Sequence, residues 1–160
     1  MITLIGCAIG FFIIMPVITF FHELGHAVPI VGSGSQAIIT LGSGKSVVNF
    51  QAGSIELSST LTPFNIGYVE ATSEIPLKSQ ILSIAGGPVA SLIMCTLTFF
   101  CLKYATNSLS AFLLRFAFGY CVFQFVFTSV PMTYGYVFIG YEGIPSDGKR
   151  LFDLLAGIPS

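Results

Sequence analysis

Three long apolar runs separated by one polar, glycine-rich stretch set the plan of this chain. The runs extend from Ile2 to Phe21, from Gln80 to Leu102 and from Leu109 to about Tyr141. A helix needs roughly 20 residues to cross a hydrocarbon core of about 30 Å, and each run is long enough. The first continues directly into His22 and Glu23, so its helix is expected over residues 2–29. It has no basic leader and no small-residue cleavage site, and therefore reads as a retained helix, not a signal peptide. Helices are expected likewise over 80–102 and 109–141.

The pattern changes between residues 30 and 79. Gly32, Gly34, Gly42, Gly44, Gly53 and Gly67 punctuate short β-prone runs, of which Ala37-Ile38-Ile39-Thr40-Leu41, Ser46-Val47-Val48-Asn49-Phe50 and Gly67-Tyr68-Val69-Glu70 read as strands. The expected fold is therefore an integral membrane, mainly α protein. It is one domain over residues 1–160, with three transmembrane helices and a small β-sheet or hairpin insertion between the first and second. Residues 142–160 would carry a short last helix, because Leu151, Leu154 and Leu155 fall at helical spacing.

Composition agrees with a bilayer as solvent. Of the 160 residues 54% are hydrophobic and 8% charged, and mean hydropathy is +0.89, whereas about a quarter of the residues in soluble domains are charged. A net charge of -1 offers no basic surface, so no nucleic-acid partner is expected. Cys7, Cys95, Cys101 and Cys121 lie in apolar runs without paired metal-ligand spacing and read as small hydrophobes. Gly44-Lys45-Ser46 resembles the end of a phosphate-binding loop, but Ile39 stands where that loop requires its first glycine, which excludes nucleotide binding there.

The chemistry gathers in His22-Glu23-Leu24-Gly25-His26, an H-E-x-x-H pattern that uses both histidines of the chain. On a helix, positions i and i+4 share a face, so both imidazoles can reach one zinc ion while Glu23 stands beside it to take a proton from water. Zinc lowers the pKa of a bound water towards neutrality and stabilises the oxyanion formed from a peptide carbonyl. A carboxylate in a lipid-facing helix costs about 2.5 to 3.5 kcal/mol on insertion scales, so Glu23 is expected to face a polar cavity.

A catalytic zinc normally takes three protein ligands. The third must come from Glu56, Glu70, Glu74, Glu142, Asp147 or Asp153. Asp147 stands out because it precedes Gly148 at the start of the short last helix, although a helix N-cap would account for an aspartate there equally well.

Taken together, these motifs give a chain that resembles the site-2 protease family of intramembrane zinc metalloproteases. His22-Glu23-Leu24-Gly25-His26 matches the family's zinc motif, Gly67-Tyr68-Val69 its G-G-Y-V segment, Gly86-Gly87-Pro88 its G-G-P helix and Asp147-Gly148 its D-G motif, all in family order. The resemblance implies one zinc ion per chain held by His22, His26 and Asp147, with Glu23 as general base and three membrane helices as the minimal catalytic core. It also implies a membrane-spanning or membrane-associated peptide substrate, added as an extra strand to the sheet edge. Ile66 stands where the family often has the first glycine of G-G-Y-V, and Ser91 where it often has asparagine. Fifteen residues separate Pro131 from Asp147, where the family's run is compact.

Cations divide as Lys45, Lys78, Lys149 and Arg150 on one side of a three-span arrangement against Lys103 and Arg115 on the other, which favours the first side as cytoplasmic. The active site would then face the cytoplasm in a multi-pass protein of a bacterial cell membrane. Arg115 is expected to snorkel to the interface. Two alternatives stay open. One is a non-catalytic scaffold or immunity-type protein retaining a zinc site, and the other is a different metalloprotease with Glu142 as third ligand.

Overall fold

The structure is a computed structural model that describes residues 2–60, 66–137 and 140–158. The first apolar run forms one long helical rod. It comprises α1 (Ile2–Ile9), a π-helical segment (Gly10–Ile14) and α2 (Met15–Gly32). Pro16 explains the π segment, because it has no N–H to donate and its ring would press on the carbonyl four residues earlier. A wider turn just before it relieves both problems, and the Met15 amide bonds to the Gly10 carbonyl. The other apolar runs give α3 (Leu77–Cys101), followed by a 3₁₀ turn (Leu102–Tyr104), and α4 (Ser108–Ser129). Asn107 starts α4 with a capping box, accepting from the Ser110 amide at 2.9 Å while the Ser110 hydroxyl accepts from the Asn107 amide at 3.2 Å. Among the described residues, three helices are thus long and apolar enough to cross a membrane: Thr3–Gly32, Leu77–Tyr104 and Ser108–Ser129.

The helix expected over 109–141 ends at Ser129 instead. Pro131 is the cause, since the residue before a proline is pushed out of the helical region, and Val130 is extended at ψ 126°. Among the described residues that follow, 130–137 and 140–146 belong to a non-helical strap, and positions 138 and 139 of the expected helix lie outside the described residues. Tyr134 bonds through its amide to Ile144 and through its carbonyl to the Gly143 amide, at 3.0 and 2.9 Å, and Thr133 bridges to Pro145. The strap leads into α5 (Asp147–Ala156). The first helix also outruns its expected end at 29, continuing through Pro29 to Gly32, and the second begins at Leu77, three residues before Gln80.

The polar stretch folds into one four-stranded sheet of β1 (Ala37–Leu41), β2 (Val48–Ala52), β3 (Ile55–Ser59) and β4 (Gly67–Ala71), in spatial order β2-β3-β1-β4. Strand β3 was not among the expected strands, and β2 begins at Val48, not Ser46. β2 and β3 form a hairpin around Gly53, which has φ 60°; β3 then pairs parallel to β1, and β4 pairs antiparallel to it. Alternation sends Ala37, Ile39 and Leu41 of the central strand into a core with Ala27 and Ile30 of α2. Val69 and Ala71 pack on the same core. Burial of this face fixes the sheet register and sets the edge strand β4 against the H-E-x-x-H stretch of α2.

Candidate active site

His22, Glu23 and His26 are all buried on α2. One helical turn separates the two imidazoles, and their Nε2 atoms lie 3.2 Å apart. Asp147, far away in sequence, completes the set: its Oδ2 lies 3.3 Å from Nε2 of His22 and 3.4 Å from Nε2 of His26. Ser146, not Asp147, is the N-cap of α5, accepting from the Lys149 amide at 3.2 Å. Asp147 is therefore the first residue of the helix, with its carboxylate free to face α2. The Ser146 hydroxyl also donates to the Val130 carbonyl at 2.6 Å and accepts from the Met132 amide at 3.1 Å. Those two bonds tie the start of α5 to the end of α4.

The three facing atoms suit a zinc ion. Bonds of about 2.0–2.1 Å at tetrahedral angles place donor atoms about 3.3 Å apart, and the observed edges are 3.2, 3.3 and 3.4 Å. The outer ring nitrogens are held as ligand histidines require. Nδ1 of His26 donates to the Ser83 carbonyl at 2.7 Å, which makes Nε2 the nitrogen that would give up its proton to a metal, and Nδ1 of His22 lies 2.8 Å from the Ser91 hydroxyl. Both partners come from α3. Among the described residues, His22, His26 and Asp147 are the group of side chains able to hold a metal. Glu142, Glu56, Glu70 and Glu74 are exposed and outside that group, and Asp153, although buried, is also outside it.

Electrostatics keep Asp147 ionised. Burial by itself pushes its carboxyl up, but the hydrogen bonds and charges of the two facing imidazoles outweigh burial and hold it well below the usual carboxylate range. Its other oxygen, Oδ1, lies 3.8 Å from Arg150, a separation too long for a strong pair.

Glycines shape the space around these groups. A methyl group at Gly87 would run into Nε2 of both histidines, so the flank of the triangle has to be bare backbone. At Gly67 it would come within 2.5 Å of Oε1 of Glu23, so the first residue of β4 lies directly over that carboxylate.

A sequence profile that extends across nearly the whole chain agrees with this geometry, since the model of peptidase family M50 matches residues 10–151. The chain belongs to peptidase family M50, the site-2 protease family. It is thus a member of a metallopeptidase family, and its three apolar helices fit a membrane protein. No curated protein sequence matches it.

Within this M50 site, several contributors escaped the sequence reading. Ser83 has no motif of its own, and Ser91 was noted only as a departure from the family pattern. Gly87 was noted only within the G-G-P match, whereas it bares the flank of both histidines. Tyr141 was assigned to the end of a membrane helix. Its hydroxyl instead accepts from the Gly67 amide at 2.8 Å and donates to the Gly67 carbonyl at 3.2 Å, beside Glu23. Burial pushes its phenol above the ordinary tyrosine range, so the hydroxyl keeps its proton. An aromatic residue next to glycines at 140 and 143 was the only signal available.

Proposed function

We propose that this M50 member is an intramembrane zinc endopeptidase that hydrolyses peptide bonds of membrane-associated or transmembrane substrates, with one zinc held by His22, His26 and Asp147. The observation that carries this reading is the near-equilateral triangle of two Nε2 atoms and one carboxylate oxygen, next to Glu23 on a helix apolar enough to span a bilayer. Zinc bound there would supply Lewis acidity, acidifying water and polarising the peptide carbonyl. Glu23 adjoins the two ligand histidines on α2, where its carboxylate takes the proton from the attacking water and delivers it to the departing amine. Burial of the site excludes bulk water, which strengthens these charge interactions.

The substrate enters as an extended strand. β4 is an edge strand, and its first residue lies over Glu23. The Ile66 carbonyl and the Thr72 amide bond inward to Gly42 and Gln36 beside β1, so alternation turns the N–H and C=O groups of Gly67, Val69 and Ala71 outward. Main-chain pairing along that edge would bring a peptide carbonyl to the site without close reading of side chains. Lys45, Lys78, Lys149 and Arg150 lie in or next to elements at the sheet and α5 end, which favours that end as cytoplasmic.

Two measurements on the detergent-purified chain test this. Zinc per chain is expected near one in the parent, retained in Glu23→Gln and sharply reduced in Asp147→Asn but not in Glu142→Gln. A membrane-tethered model substrate is expected to be cut by the parent alone. Equal cleavage by parent and Glu23→Gln would remove Glu23 from the mechanism, and a zinc-free, folded parent after metal supply would favour a non-catalytic role.

A further inference from the structure

The outward edge of β4 is already engaged at one position. At Gly67, both outward backbone groups bond to a single atom: the amide donates to the Tyr141 hydroxyl at 2.8 Å and that hydroxyl donates to the carbonyl at 3.2 Å. An incoming strand would satisfy the same two groups with its own C=O and N–H. A phenol can stand in for both because it carries one O–H and two lone pairs.

The position matters because Gly67 lies over Glu23. Any residue paired with Gly67 has its main chain at the catalytic carboxylate. We propose that Gly67 is the subsite for substrate main chain nearest the cleaved bond, and that the Tyr141 hydroxyl is the group an extended peptide displaces from it. This rests on the strand-addition reading given above.

The strap is built to allow that exchange. Its base is anchored by the Tyr134 bonds to Gly143 and Ile144 and by the Ser146 bonds to Val130 and Met132, while Tyr141 rests its ring on that of Tyr134, with centroids 5.4 Å apart, and accepts from the Ile144 amide through its own carbonyl at 2.9 Å. Gly140 and Gly143 flank Tyr141 with φ of 89° and 76°, left-handed conformations that glycine takes at little cost. The ring can therefore swing out while the base, and with it Asp147, stays in place. A helical segment offers no free main-chain groups and cannot replace the hydroxyl, so the exchange admits only peptide that has already unwound.

The test uses the full chain in detergent with Glu23→Gln, so that peptide is not consumed, and a fluorescein-labelled apolar decapeptide read by anisotropy. Adding Tyr141→Phe is expected to tighten binding about five- to ten-fold, the net contribution of a hydrogen bond that no longer has to be broken. Methylating the peptide's backbone nitrogens one at a time should weaken binding at alternate positions. Unchanged or weaker binding in the Tyr141→Phe chain, with alternate-position sensitivity intact, overturns the displacement proposal and leaves strand addition standing. Absence of any sensitivity to N-methylation overturns strand addition itself. Amide exchange gives a second reading without peptide: Gly67 should exchange at least about five-fold faster in Tyr141→Phe, and an unchanged rate overturns the latch.

Discussion

Glycine lets helices approach one another at two crossings in this molecule, and the two are built differently. Where α2 meets α3, Gly25 and Gly86 face backbone: a methyl on either would strike the other's carbonyl, and Ala90 also presses on Gly25. Pro29 withholds the intrahelical donor from the Gly25 carbonyl, which packs on Gly86. Where α1 and the π segment meet α4, Gly6 and Gly10 instead receive the rings of Phe112 and Phe116. A ring can rotate aside, but a backbone carbonyl cannot. Close approach at the first crossing thus fixes the position of α3, whose Ser83 and Ser91 hold the two histidines, while the second crossing fills space between apolar helices.

The largest effect should come from Gly87→Ala, because its methyl would occupy the space of both Nε2 atoms. Zinc affinity is expected to fall by about 100-fold or more, the upper end of what supporting residues of metal sites contribute, with cleavage lost; chelator competition measures the first. Gly86→Ala comes next. Overpacking against the Gly25 carbonyl should destabilise the chain by about 2–3 kcal/mol, read from unfolding in mixed micelles. Ser91→Ala removes one hydrogen bond to His22 without moving backbone, and is expected to weaken zinc binding about ten-fold with stability nearly unchanged. Gly6→Ala should be smallest, within about 0.5 kcal/mol of the parent, since the Phe112 ring can yield. If Gly6→Ala and Gly86→Ala cost the same, the contrast between the crossings disappears.

How far the site could be read from sequence follows the separation of its parts. His22, Glu23 and His26 lie within one and a half helical turns, so helical geometry alone relates them. Asp147 was singled out by the D-G pair, but spacing could not separate a ligand from an N-cap. That Asp147 is not the N-cap was decided by Ser146, which caps α5 and ties it to the end of α4. The third helix shows the reverse case. Pro131 marked its end in the sequence, yet the apolar residues after it resembled more membrane helix, because composition does not distinguish a span from a strap packed over a site.

The sequence by itself determined the three apolar spans, the presence of strands between the first two and the histidine–glutamate face of α2. Each of these depends on residues a few positions apart whose periodicity survives in an isolated segment. Tertiary structure alone decided the parallel pairing of β1 with β3, the Ser83 and Ser91 supports, the bare flank at Gly87 and the Tyr141 contact with Gly67. These join groups 57 to 74 residues apart at the supports and the tyrosine contact, and only the packing of glycine surfaces and the burial of one sheet face bring such groups together.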